Sequence, residues 1–241
     1  MLPAELIDLI FSFLQGNTLA LKACSKAHPL FSRLAERHIY AHIVSNSHVC
    51  QEIIENPHLL NYPRTLEMRP RNPPLKFIMS VIPRMANLVS LRIDDPYLFG
   101  QRLEFLSALK NCFQQSSLQS LYLSHLDRLP FSILDDAKYI KHLTLSNCNV
   151  DEDEPIPSSP SSQLSLDTLV FSNVHDEHLQ RWAVRWVTCL TLLELCYVTN
   201  DWKMFFELLK ACSNSLTRLH LEMHDNGMLS LYRLSQIYLC P

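Results

Sequence analysis

Apolar positions along the chain fall into a repeated Leu-x-x-Leu-x-Leu pattern: Leu88-Leu91-Ile93, Leu118-Leu121-Leu123, Ile140-Leu143-Leu145, Leu166-Leu169-Phe171, Leu190-Leu193-Leu195 and Leu216-Leu219-Leu221. The first positions lie 22 to 30 residues apart. Such a period signals stacked copies of one strand-plus-helix unit, each too small to bury its apolar face alone. The fullest copy runs from Ile140 to Val150, with Cys148 where repeats of this kind carry Asn or Cys. Leu126, Val174, Val198 and His224 stand at the corresponding position of other copies, so apolar packing replaces most of a polar ladder. Fainter copies surround Leu66 and Met68, and Leu234-Ile237-Leu239 begins another that the chain end cuts short.

Between these cores the spacing changes to that of helices. Leu103, Leu106, Leu109 and Phe113 share one face, as do Leu179, Trp182, Ala183 and Trp186, and Phe205, Leu208, Leu209 and Cys212. Pro74 opens an earlier pattern carried by Leu75, Ile78, Met79 and Ile82. The acidic, then Pro/Ser-rich stretch 151–162 predicts a flexible excursion without a helix. Residues 1–43 read as three short amphipathic helices: Leu6, Leu9, Ile10, Phe13 and Leu14 on the first, Leu19 to Cys24 on the second, and Phe31, Leu34, Ala35 and Tyr40 on a third opened by Pro29. Pro57 and Pro63 then bound a linker or first cap over 44–62.

The expected class is therefore α/β: a small N-terminal three-helix module, then over 63–241 a curved leucine-rich-repeat solenoid, with a parallel sheet on the concave face and helices on the convex face. Strand side chains alternate, so the Leu positions point inward and the residues between them line the concave face. That rule selects a row of Arg92, Tyr122, Thr144, Val170, Glu194 and His220, flanked by Asp94, His142, Ser146, Tyr197, Arg218 and Glu222. Aromatic, charged and hydrogen-bonding groups are mixed there, as on protein-recognition surfaces.

Composition narrows the chemistry. The chain is 47% apolar and 19% charged, with a formal net charge of −3 and no Lys/Arg cluster, which argues against a nucleic-acid partner. No signal-peptide pattern or run of about 18 apolar residues occurs, so no membrane is expected and a cytoplasmic or nuclear location is. The eight cysteines form no CxxC pair and fall mostly in apolar-periodic segments, which reads as buried thiols. The three glycines are isolated, so no loop can wrap a phosphate or dinucleotide and no cofactor is implied. His220, Glu222 and His224 alternate along one strand, and His38 and His42 sit four apart, but neither set completes a metal site. His175-Asp-Glu-His178 reads as a capping loop. With no GxSxG elbow or catalytic-Cys signature, an enzyme is not expected.

The N-terminus adds a more specific signal. Leu2-Pro3-Ala4-Glu5-Leu6, followed by Ile10-Phe11 and Leu14, resembles the opening of an F-box; Leu21-Lys-Ala-Cys24-Ser and Phe31-Ser-Arg33-Leu34-Ala35 are similar to its second half, with Phe31 in place of the usual tryptophan. Together with the repeat, the chain resembles the divergent F-box/leucine-rich-repeat proteins of the fungal F-box-like type. That resemblance implies a substrate-recognition adaptor of an SCF-type cullin–RING ubiquitin ligase, which docks on the Skp-type adaptor and holds an unknown target protein on its solenoid. Carried onto this sequence, the adaptor-binding residues are Leu2, Pro3, Leu6, Ile10, Leu14, Leu21 and Cys24. The alternative is a non-ligase scaffold in which the three helices cap the first repeat. Because no polar capping repeat follows Leu234, the solenoid is expected to be truncated or covered at its C-terminal end.

Overall fold

A computed structural model describes residues 2–69, 77, 80–94, 102–115, 117–126, 129–130, 133–134, 137–149, 165–174, 183–184, 187–196, 202–224 and 231–238. The stretch 151–162, the helix expected around Trp182 and Trp186, most of the pattern after Pro74, and the loop His175 to His178 lie outside these residues.

The first three elements are helices: α1 (Ala4–Phe13), α2 (Thr18–Ala27) and α3 (Pro29–Ile39). Gly16, at φ +98°, takes the left-handed turn between α1 and α2 that a side chain would strain. Asn17 caps α2, its Oδ1 accepting from the Ala20 amide at 3.0 Å. His28 caps α3 in the same way through Nδ1 and the Leu30 amide, and Pro29 occupies the first helical turn, where no amide partner is lost. These helices close on a core of their own: Ile7, Phe11, Leu21 and Ala35, with Leu14, Cys24, Phe31, Leu34 and Ile39 packed against it.

The rest of the chain is organised by one nine-stranded sheet whose strand order follows chain order. Its strands are β1 (His42–Val44), β2 (Thr65–Met68), β3 (Ser90–Asp94), β4 (Ser120–Ser124), β5 (His142–Ser146), β6 (Thr168–Ser172), β7 (Leu192–Cys196), β8 (Arg218–His224) and β9 (Leu231–Tyr238). The first eight run parallel, and each of their cores stands directly beside the next: Ile43, Leu66, Leu91, Leu121, Leu143, Leu169, Leu193 and Leu219 form one continuous row. A second repeated feature fixes this register. The carbonyls of Ala41, Arg64, Val89, Gln119, Lys141, Asp167 and Thr191 each accept two successive amides from the start of the following strand, at 2.8 to 3.0 Å.

Between strands lie α4 (Ser47–Glu55), α5 (Arg102–Phe113) and α6 (Trp202–Cys212). On α5 the buried residues Phe105, Ala108, Leu109, Cys112 and Phe113 recur at helical spacing, which is why this segment coils and docks on the sheet. Parallel crossovers are right-handed almost without exception, so with strands in simple chain order the described connecting helices lie on one side of the sheet. That side holds the core, which runs from Tyr40 to Leu221. Each buried aliphatic side chain in it contributes on the order of 1.5–3 kcal/mol.

Two expectations are corrected. Residues 44–62, read as a linker or first cap, are not a bare linker but complete the first unit of the sheet: Ile43 is buried and pairs with Leu66, α4 buries Cys50 and Ile53, and a 3₁₀ turn over Pro57–Asn61 buries Leu59 and Leu60. The sheet thus starts at His42 rather than after 62. The segment around Leu234 and Ile237, read as the start of a further parallel copy, is antiparallel to β8, with Leu221 opposite Leu234 and His224 opposite Leu231. Only residues 225–230 join the two strands, too few for a parallel crossover of about a dozen residues, so the chain can only fold back as a hairpin.

Candidate functional site

Two surfaces stand out, one on α1 and one on the sheet. Helix α1 is apolar on two faces. Ile7 and Phe11, four residues apart, point into the three-helix core, where the Phe11 ring meets Phe31 edge-on at 5.9 Å and His38 at 6.3 Å. Asp8 anchors the same side: its Oδ1 lies 2.9 Å from His38 Nε2, and its other oxygen 3.8 Å from Arg37. With one face so occupied, Leu6, Leu9, Ile10 and Phe13 are left on the other, at spacings that make them neighbours along the helix. Leu2 and Pro3 precede them, exposed, at its N-terminus. Exposure reaches 58% at Leu2 and 81% at Phe13, and Leu19 at the start of α2 is as open, at 80%.

The residues assigned to adaptor docking therefore divide. Leu2, Pro3, Leu6 and Ile10 are exposed; Leu14 and Cys24 are half-buried against the small core. Leu21, at 1% exposure, lies inside that core and supports the surface from beneath, a correction to its place among contact residues. The apolar stripe of α1 also includes Leu9 and Phe13, which the motif did not select. The signal was present in the sequence: Ile7, Phe11 and Leu14 make a second stripe, and both cannot face one core.

The second surface is the side of the sheet opposite the core. Along β2 to β7 the residue between the two buried core positions of each strand is half-exposed, as the alternation of a strand requires, whereas Ser124, Ser146 and Cys196 at the strand ends are buried and His142 is exposed. Register places Glu67, Arg92, Tyr122, Thr144, Val170, Glu194 and His220 in one transverse row. The Arg92 guanidinium lies 4.0 Å over the centre of the Tyr122 ring. Glu194 Oε1 is 3.4 Å from His220 Nδ1, and Glu67 Oε1 is 2.9 Å from Arg69 Nε.

A polar ladder, not read from the sequence, borders this row at the C-terminal ends of the strands. His125, Asn147 and Asn173 have left-handed backbones, with φ of 58°, 50° and 53°. Their amides donate to the carbonyls of Ser146, Ser172 and Cys196, each at 2.9 Å. Asp94, His125, Asn147 and Asn173 are thereby linked side chain to side chain: Asp94 to His125 at 2.9 Å, His125 to Asn147 at 3.4 Å, and Asn173 donating to the Asn147 carbonyl oxygen. The ladder occupies the residue just before Leu126, Cys148 and Val174, which are themselves buried. Its signal was the tolerance of His and Asn for left-handed turns.

Other chemistry finds little support. Burial pushes the thiols of Cys50 and Cys148 up to about 11 and that of Cys112 up to about 12, and raises Cys212 as well, which opposes a reactive thiolate. Burial and a hydrogen bond to Glu52 likewise raise Tyr40. His38 engages Asp8 while His42 is exposed at the sheet edge, so the two do not converge. Among the described residues, no three His, Cys, Asp or Glu side chains are grouped to hold a metal ion. No helix among them is long and apolar enough to cross a membrane. Compared with known proteins, the chain matches no family model, and no curated protein and no solved structure matches it.

Proposed function

We propose that this chain is a substrate-recognition adaptor of an SCF-type cullin–RING ubiquitin ligase, built as an F-box-like module joined to a leucine-rich-repeat solenoid. The observation that carries the reading is the apolar stripe of α1: the helix that bears the Leu-Pro-Ala-Glu-Leu motif turns Leu6 and Ile10 to solvent instead of sealing them against the sheet. An amphipathic helix with an unused apolar face suits a hydrophobic groove on a partner, here the Skp-type adaptor. In this reading the open row around Arg92, Tyr122, Thr144, Glu194 and His220 holds the target protein. The chain contributes proximity between target and ligase and performs no bond chemistry itself.

Co-expression with a Skp-type adaptor tests the proposal. The parent should co-purify with it, and the double variant Pro3→Ala, Ile10→Asp should not, while both keep the same circular dichroism. A well-folded parent that never retains the adaptor would leave the second reading, a protein-binding scaffold without a ligase, which the open sheet face favours independently of α1.

A further inference from the structure

We infer that the open sheet face receives a partner segment through one carboxylate, an Asp or Glu side chain gripped by the Arg92 guanidinium as it lies on Tyr122. The inference rests on the sheet face serving as the target surface, and deepens that reading by naming the chemistry it selects. Its basis is the balance of charge along the transverse row. Glu67 is paired with Arg69 at 2.9 Å, and Glu194 lies 3.4 Å from His220 Nδ1, a contact of opposite charges only when the imidazole is protonated. Asp94, next in the strand on that face, is matched by His125 at 2.9 Å. Among the described residues Arg92 alone of the charged members of the row has neither an ion pair nor a side-chain hydrogen bond, and its Nε is enclosed with no acceptor at all.

An unmatched donor shut away from water is costly to the fold, so this arrangement is one that an acceptor reaching it improves. The guanidinium carbon lies 4.0 Å from the centre of the Tyr122 ring, a contact that restrains the group before any ligand arrives. A planar fork restrained in this way fits a carboxylate, which can accept two parallel hydrogen bonds. Ser90 and Ser120, half-exposed on the same and the next strand, offer hydroxyls beside it, while the adjacent acids Glu67 and Asp94 are engaged by Arg69 and His125.

The charge count also favours a carboxylate over a phosphate. A phosphorylated side chain carries close to two negative charges and calls for a second cation. The nearest candidate, Arg69, is already held by Glu67. Arg218 stands on β8, five strands from Arg92, roughly 24 Å away at about 4.8 Å per strand.

The probe is a set of short, end-blocked, degenerate peptide pools, identical except for a central residue fixed as Glu, Gln or phosphoserine, and incubated with the full chain. The Glu pool should be retained roughly tenfold more than the Gln pool, the worth of one charge-assisted forked contact. Arg92→Gln should erase that preference. Arg92→Lys, which keeps the charge and the aliphatic stem and therefore guards against misfolding, should leave only a small remnant because it lacks the fork. Equal retention of the Glu and Gln pools, retention of no pool, an undiminished Glu preference in a folded Arg92→Gln variant, or a phosphoserine pool that exceeds the Glu pool would each overturn the inference. The adaptor test on the parent chain is separate: a parent that selects Glu but never retains the adaptor loses the ligase reading and keeps this one.

Discussion

Of the large apolar side chains exposed among the described residues, Leu2, Leu6, Leu9, Ile10, Phe13, Leu19 and Leu30 all fall in the first thirty residues; only Val89, Tyr139 and Phe206 lie beyond. The buried counts run the other way. The three-helix unit fully buries only Ile7, Phe11, Leu21 and Ala35, whereas the sheet's core continues unbroken from strand to strand. A row of stacked strands spends its apolar residues on its neighbours, since each Leu is enclosed by the copies on either side. The N-terminal unit has one small core to enclose and more apolar surface than that core can take. Of what it leaves over, Leu6, Leu9, Ile10 and Phe13 share one face of α1, while Leu19 and Leu30 lie on α2 and α3.

The comparison can be broken or sharpened by experiment, beginning with the largest effects. Phe11→Ala should remove about 3–5 kcal/mol from a core with few members, and so should loosen α1 to α3 and abolish proteolytic protection there while the sheet's unfolding transition persists. If Phe11→Ala instead melts the whole chain in one step, the two regions are not separable. Leu143→Ala, in the middle of the stacked row, should cost about 2–5 kcal/mol in chemical denaturation, read from the sheet's transition. A loss below about 1 kcal/mol would mean that the row relaxes around the gap.

Alkaline pH should act on the sheet's side of the comparison. The thiols of Cys50, Cys112 and Cys148, held at about 11, 12 and 11, all belong to its core. An unfolded thiol releases its proton near about 8.5, so between that value and 11–12 the unfolded chain binds fewer protons and stability falls as pH rises. Melting temperature should therefore hold level up to about pH 8.5 and decline above it; a flat profile to the folded values would contradict the burial of these thiols. Asn17→Ala, which removes the cap of α2, should cost about 1 kcal/mol within the N-terminal unit. Smallest of all, Leu6→Ser with Phe13→Ser should shift stability by no more than about 0.5 kcal/mol each, yet lower the binding of an apolar fluorescent dye. A marked loss of stability would show that the stripe is covered rather than open.

Much of the sheet was legible in the sequence because its signal is local and repeated. The Leu-x-x-Leu-x-Leu cores name the buried residues of β3 to β8, and alternation then names the half-exposed residues between them. The first unit was not legible, since β1 contributes only His42-Ile43-Val44 and no second Leu marks its period. The ladder of Asp94, His125, Asn147 and Asn173 was missed because each member looks like an ordinary turn residue until the strands are set side by side.

The sequence by itself thus determined the period, the inward residues and the two apolar stripes of α1, all properties of short stretches governed by backbone geometry. Only the tertiary structure decided which stripe is used inside: Phe31 and His38 of α3 meet Phe11, and Ile10 is turned outward as a result. Only it left Arg92 stacked and unmatched while its acidic neighbours on the face found partners, and only it turned the last strand back along β8. Those outcomes depend on which surfaces meet across long separations in the chain, and pairing of that kind is set by packing and charge in three dimensions rather than by any local pattern of residues.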